Sequence, residues 1–279
     1  DYWIQLTKSI EDNLSDRLHE ELTKSFIDKK ISILARGLKQ DMILETAVDE
    51  NNKVLIDKQY VGALKGLKFL IDFNSENLDV DLKSIKKAAR RGVEKELIKR
   101  AKLIMEEGGL SIDHENKIVW LKNAIAKIKK GENYLKPEIE IIADEALPLE
   151  IQKELEYFIK NWLTSYINEI LGDLINLINI KIENQYLRAL SFQLYENNGV
   201  LKRKNIDKII KLISKDERKK LWSMGIKIGR YHVFIPKMLK PKAVTLRTML
   251  WTIYNNIISD NNIPKFGLNF VINENFDEK

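Results

Sequence analysis

DENNKVLIDKQYVGAL (residues 49–64) and DHENKIVWLKNAIAKI (residues 113–128) decide how this chain is read. Slid by 64 residues without a gap, they place Asp49 on Asp113, Lys53 on Lys117, Val54 on Ile118 and Leu55 on Val119. Further along, Lys58 falls on Lys122, Val61 on Ile125 and Leu64 on Ile128. Each stretch is a short β-branched or aromatic run broken by a two-residue polar turn, the signal of antiparallel strands in a meander. The fixed offset points to a duplicated unit, and two copies are too few for a solenoid. The pair is therefore expected to pack on each other and on flanking helices.

Outward from that repeat, the first copy reads as strands over 53–57, 60–64 and 67–72, turning at Lys58-Gln59 and Lys65-Gly66. Residues 4–45 before it read as helix, with Ile10, Leu14, Leu18, Leu22 and Phe26 on one stripe. Residues 78–105 are a second helix, with Ile85, Ala89, Val93, Leu97, Ala101 and Ile104 on one face, ended by Gly108-Gly109. Strand pattern returns over 112–143. Pro148 then opens a long helical stretch to Tyr195, interrupted near Gly172. A turn at Asn197-Asn198-Gly199 precedes a short helix over 205–213. Ser214-Lys215-Asp216-Glu217 is a capping box that opens another helix, closed by Gly225. Residues 226–235 alternate like a strand, and Pro241 sits at the first position of a last helix bearing Ala243, Leu246 and Leu250. Residues from Ser259 on read as a frayed tail. The expected fold is α+β and mainly α. Residues 1–147 would hold a helix and the duplicated meander-plus-helix units. Residues 148–279 would form a helical C-terminal domain with one hairpin or bent strand.

Composition narrows the chemistry. Of 279 residues 44% are hydrophobic and none is Cys, so a real core is available while a disulfide scaffold, a catalytic thiol and an iron–sulfur site are excluded. Three histidines, His19, His114 and His232, lie far apart and give a metal site little support. No apolar run reaches the ~18 residues of a membrane span. A cytoplasmic protein with no membrane partner is expected. The chain opens at Asp1 and runs at once into helical pattern, which reads as a piece of something longer.

The net charge of +6 is unevenly spread. Between residues 200 and 250 stand 15 Lys and Arg against 3 acids, a local +12, whereas residues 1–199 sum to −4. Such a segment is the electrostatic footprint of polyanion binding, with docking on the acidic N-terminal two-thirds of the chain or a merely solvated face as the alternatives. Within it, Lys227, Arg230, Tyr231, His232, Lys237, Lys240, Lys242, Arg247 and Trp251 are the candidate nucleic-acid-binding residues. Cations there can follow phosphates while rings stack on bases, the mixture by which single strands are held. The alternative for Tyr231, Phe234 and Trp251 is that they are core rings of a strand–helix pair.

Nucleotide hydrolysis finds no support. Ile139–Leu147 ends in Asp144-Glu145 like a magnesium-holding strand, but Glu140 interrupts the strand and no G-x-x-x-x-G-K-[ST] loop exists. No catalytic residue and no cofactor is assigned to this chain.

The stretch Gly225-x-x-x-Gly229-x-Tyr231-His232-Val-Phe-Ile-Pro236-x-x-Leu239-Lys240-Pro241, followed by Leu246-Arg247-x-x-Leu250-Trp251, resembles the C-terminal signature of bacterial superfamily-two helicases. These are relatives of the RNA helicase subunit of the mitochondrial degradosome. The opening segment from Tyr2-Trp3 to Phe26 resembles the region that follows the motor in the same proteins. Lys237-Met238 departs from the family's smaller or aliphatic residues and makes the loop more basic. The resemblance implies a non-catalytic accessory region of an ATP-dependent helicase, with ATP and Mg bound by motor domains upstream. Its implied partners are RNA or DNA, foremost RNA and single-stranded, and those motor domains. The alternative is an interaction scaffold that docks the motor or a ribonuclease.

Overall fold

The computed structural model describes residues 2–39, 46–56, 58–71, 79–179 and 184–257. The architecture is α+β and mainly α. In chain order the described elements are α1 (Tyr2–Lys39), β1 (Thr46–Val48), β2 (Lys53–Ile56), β3 (Gln59–Lys65), β4 (Lys68–Ile71) and α2 (Asp79–Glu107). Next come β5 (Ser111–Ile112), β6 (Lys117–Trp120), β7 (Asn123–Asn133), β8 (Lys136–Ile141) and α3 (Leu149–Asn179). The chain continues through α4 (Gln185–Glu196), β9 (Val200–Lys202), α5 (Arg203–Leu212) and α6 (Lys215–Ser223). It closes with β10 (Lys227–Ile228), β11 (His232–Phe234), a 3-10 turn at Pro236–Leu239 and α7 (Pro241–Asn255).

Two compact units result. One comprises Asp1–Lys127 with Glu140–Phe158, the other Ile128–Ile139 with Ile159–Lys279. The chain passes from one to the other within β7, β8 and α3, so the expected boundary at 147/148 lies inside a segment of the first unit.

In the first unit the duplication holds down to single hydrogen bonds. Asp49 Oδ1 accepts from the amides of Asn51 (2.9 Å) and Lys53 (2.8 Å). Asp113 Oδ1 accepts likewise from Glu115 (2.9 Å) and Lys117 (2.8 Å). A short Asp side chain can close such a turn on its own backbone. Asn52 and Asn116 then take left-handed φ of 64° and 62°, and Lys58 and Lys122 take 62° and 65°. Both copies shift register at the equivalent point, between Val54 and Leu55 and between Ile118 and Val119. Each copy has one strand more than expected, because β1 pairs with β2 and β5 with β6 across the Asp turn. Strands of three and two residues are too short to show alternation in sequence.

Both sheets are simple meanders, β1-β2-β3-β4 and β5-β6-β7-β8. Gly66, at φ 58°, lets the two copies approach: a Cβ there would stand 3.0 Å from the Asn123 Cβ. Leu67 pairs in parallel with Ala143, and the Asp144 amide donates to the Leu67 carbonyl at 2.9 Å. Helix α2 packs on the first sheet with Val93, Leu97, Ala101 and Ile104 fully buried. The helical stripe expected there is therefore core wherever its side chains are described; Ile85 and Ala89 lie outside those.

One buried cation fastens this arrangement. Arg100, 8% exposed, donates to the Gly66 carbonyl at 3.1 Å, to Glu96 at 3.1 Å and to the Asn52 side chain. The acidic pair of the nucleotide-site mimic is also occupied: Arg90 meets Asp144 at 3.1 Å and Glu145 at 2.6 Å. Along α1 the expected apolar stripe is solvent-facing over its described part, with Ile10, Leu14, Leu18 and Leu22 all exposed. The frayed tail expected from Ser259 lies outside the described residues.

Removing one partner of a buried charged hydrogen-bond group costs about 2–3 kcal/mol, because the others keep their desolvation penalty. Arg100→Ala should lower the unfolding free energy in urea by about that much. Loss below about 0.5 kcal/mol would mean that the Gly66 carbonyl is satisfied otherwise.

Candidate nucleic-acid interface

The second unit is built around a three-stranded antiparallel sheet in the order β10-β11-β9. Val233 stands at its centre, opposite Ile228 on one side and Leu201 on the other. The 226–235 stretch is thus a hairpin. It breaks where the Gly229 amide donates to the His232 carbonyl at 2.8 Å. A Cβ at Gly229 would lie 2.9 Å from that same oxygen, so the turn needs glycine.

Between β9 and β10 the chain inserts two helices. Helix α5 buries Ile206 and Ile210; the Ile213-Ser214 link follows, and α6 buries only Leu221. The capping box at Ser214 forms as expected, Glu217 Oε2 accepting from the Ser214 amide at 2.7 Å and the Glu217 amide donating to Ser214 Oγ at 3.3 Å. These hydrogen bonds hold the Glu217 carboxyl below the usual range. The Asn184 side-chain amide donates to the same carboxylate. Arg218 donates to the Ile210 carbonyl at 3.2 Å and so ties α6 to α5. Gly225, at φ 82°, turns the chain out of α6 and into β10.

Of the 15 cations between residues 200 and 250, twelve are exposed; Lys202, Arg203 and Arg247 are partly covered. Lys227, Arg230, Lys240 and Lys242 face solvent. Lys237 is exposed and pairs with Asp173 at 3.0 Å. Tyr231 is 68% exposed at the hairpin turn, with the Arg230 guanidinium 5.3 Å from its ring centroid. Arg203 reaches back to the Gly229 carbonyl at 3.0 Å and fixes the base of that turn. His232 is half-buried in β11, opposite Lys202. Trp251 is 36% exposed on α7.

Arg247 stands apart from these. It is half-buried and donates to the Asn198 carbonyl in the turn between α4 and β9. Burial pulls its pKa below the usual arginine value. In that turn Gly199 has φ 84°, and a Cβ would meet the Met238 Cγ at 2.8 Å. Nearby, the half-buried Tyr134 donates its hydroxyl to the Tyr195 carbonyl at 3.1 Å, the two rings being 5.9 Å apart. The Lys130 ammonium lies 4.6 Å from the Tyr254 ring centroid. Arg247 is therefore placed in a packed junction of α4, α7 and the β7–β8 tip.

The helix ends carry a further signal. Helices α5 and α7 begin at Lys202 and Lys240, neither making a side-chain cap, and neither helix has an acid in its first turn. Arg203 and Lys204 open α5, and Lys242 follows Pro241 in α7. Cations at a helix N-terminus oppose the macrodipole, a cost that Arg203 offsets in part by pairing with Asp207 at 3.2 Å. Trp222, outside the residues expected from sequence, is 71% exposed at the end of α6 beside Lys219 and Lys220. Its signal was available: in that helix the only apolar partner is Leu221, one residue away and on a different face.

No group of three or more metal-ligating side chains occurs among the described residues. No family model, curated protein or solved structure matches this chain.

Burial raises the Tyr134 pKa well above its ordinary value near 10. The folded state then keeps a proton that the unfolded chain gives up, so stability falls as pH rises beyond about 10. The Tyr195 carbonyl also accepts from the Asn198 amide at 3.1 Å, so Tyr134→Phe removes one of two hydrogen bonds. The change should cost only about 0.5–1 kcal/mol at neutral pH, while flattening the decline between pH 10 and 11. Urea unfolding across that range checks both effects; an unchanged alkaline slope would place the loss elsewhere.

Proposed function

We propose that this chain is a non-catalytic, nucleic-acid-guiding region of an ATP-dependent helicase, working on RNA or DNA beside motor domains that bind the nucleotide. The observation that carries this reading is the exposure of twelve cations in one basic segment of a single compact unit. Their setting adds to it: two uncapped helix starts are loaded with positive charge, and the hairpin turn offers Arg230 and Tyr231 together. A stretch of like charge held in one small unit raises its own electrostatic energy, and a polyanion relieves that cost. The resemblance of the Gly225–Trp251 stretch to superfamily-two helicases supplies the motor context.

Phosphate contacts release counterions, so affinity must fall steeply with salt. About four contacts to a single strand give a log–log slope near −3, or roughly a fifty-fold loss between 50 and 200 mM salt. Fluorescence anisotropy with labelled single-stranded RNA and DNA oligonucleotides should show that slope. No binding, or a flat salt dependence, would overturn the reading and leave the scaffold alternative, in which the basic face meets acidic protein.

A further inference from the structure

Beyond the cations, the second unit has an order of elements with its own geometric meaning. It runs helix α4, strand β9, helices α5 and α6 joined by two residues, then the β10–β11 hairpin, whose second strand returns to pair with β9. Helix α5 is the inner member, buried through Ile206 and Ile210. Helix α6 is the outer member, held by Leu221, by the Arg218 bond to Ile210 and by the Glu217 bonds to Ser214 and Asn184. A helix pair so braced, with a hairpin beside it, is how a helix-turn-helix protein offers its second helix to a duplex groove.

The exposed face of α6 suits that use. At 100° per residue, Lys219 and Ser223 lie nearly opposite the buried Leu221, with Lys215 and Lys220 to either side and Trp222 at the rim. All five are solvent-exposed. The acids of the helix are Asp216, paired with Lys219 at 3.1 Å, and Glu217, locked in the cap. Nine residues make a helix about 13 Å long and 10–12 Å across with side chains, and the B-form major groove is about 12 Å wide. The A-form major groove of paired RNA is too narrow and deep to admit it.

We propose that α6 enters the major groove of B-form duplex DNA, with Lys215, Lys219 and Lys220 on the flanking phosphates, Trp222 against the groove wall and Arg230 of the hairpin turn on the neighbouring backbone. This rests on the nucleic-acid reading above and names its ligand class: paired DNA ahead of a motor rather than the strand leaving it. A convex helix has no channel in which successive bases could stack, the device of single-strand binders. The basic residues supply non-specific affinity, and the protruding helix supplies the preference for a paired substrate.

Anisotropy titrations of the full chain against a 20-base-pair DNA duplex, the RNA duplex of the same sequence and each single strand test this. The DNA duplex should bind about tenfold tighter than either the RNA duplex or single-stranded DNA at 100 mM salt. Lys219→Ala with Trp222→Ala should cost about tenfold on the DNA duplex and less than about twofold on the single strands. Lys215→Gln, a milder change on the same face, should move the duplex affinity in the same direction, and matching thermal melts establish that both variants fold. Equal affinity for DNA and RNA duplexes, or parallel loss on duplex and single strand, would overturn the assignment of α6 while leaving the nucleic-acid reading intact. Absence of binding to every polymer would remove both.

Discussion

The pairing of β9 with β11, centred on Leu201 opposite Val233, is the constraint on which the second unit depends. Residues 200–202 and 232–234 are far apart in the chain, and everything between them must be accommodated in one closed loop. The backbone amides and carbonyls of these short strands are satisfied by that pairing, and a buried unpaired group would cost about as much as a lost hydrogen bond. With β11 returned to β9, helices α5 and α6 and their link bury Ile206, Ile210, Ile213 and Leu221. Their cations are then left outside.

The first unit solves a different problem with the same economy. Its two meanders use one local device, an Asp that closes its own turn and an Asn in the left-handed region, to set strand register twice. Arg100 then ties the first of those turns to α2 through Asn52 and Gly66. Arg90 likewise engages Asp144 and Glu145, while most described lysines of this unit face solvent. In the second unit most cations of the basic segment face outward. What sets the second unit apart is density, 15 cations against 3 acids between residues 200 and 250.

Much of this was legible in the amino-acid order because it is local. The Asp-closed turns of each repeat copy, the Ser214 capping box, the Gly108-Gly109 stop and Pro241 at a helix start each depend on neighbours within a few positions. Two classes of feature were hidden. Strands of two or three residues, β1, β5 and β9, carry no periodicity and exist only through partners elsewhere in the chain. The direction of a long side chain is equally non-local. Arg247 reads like its basic neighbours, yet the turn at Asn198-Gly199 draws it into the junction with Tyr134. The apolar stripe of α1 shows the limit from the other side: its spacing is helical, but periodicity does not say that the face is covered.

Hydrogen–deuterium exchange of the full chain, with and without a saturating B-form DNA duplex, bears most directly on where the polymer is held. Amides and solvent-exposed elements at a binding face slow their exchange when the ligand excludes water. Slower exchange over residues 215–223 and 228–232, with residues 46–71 and 111–127 unchanged, is the expected footprint. A footprint confined to the first unit, or one that leaves 215–223 untouched, would contradict it.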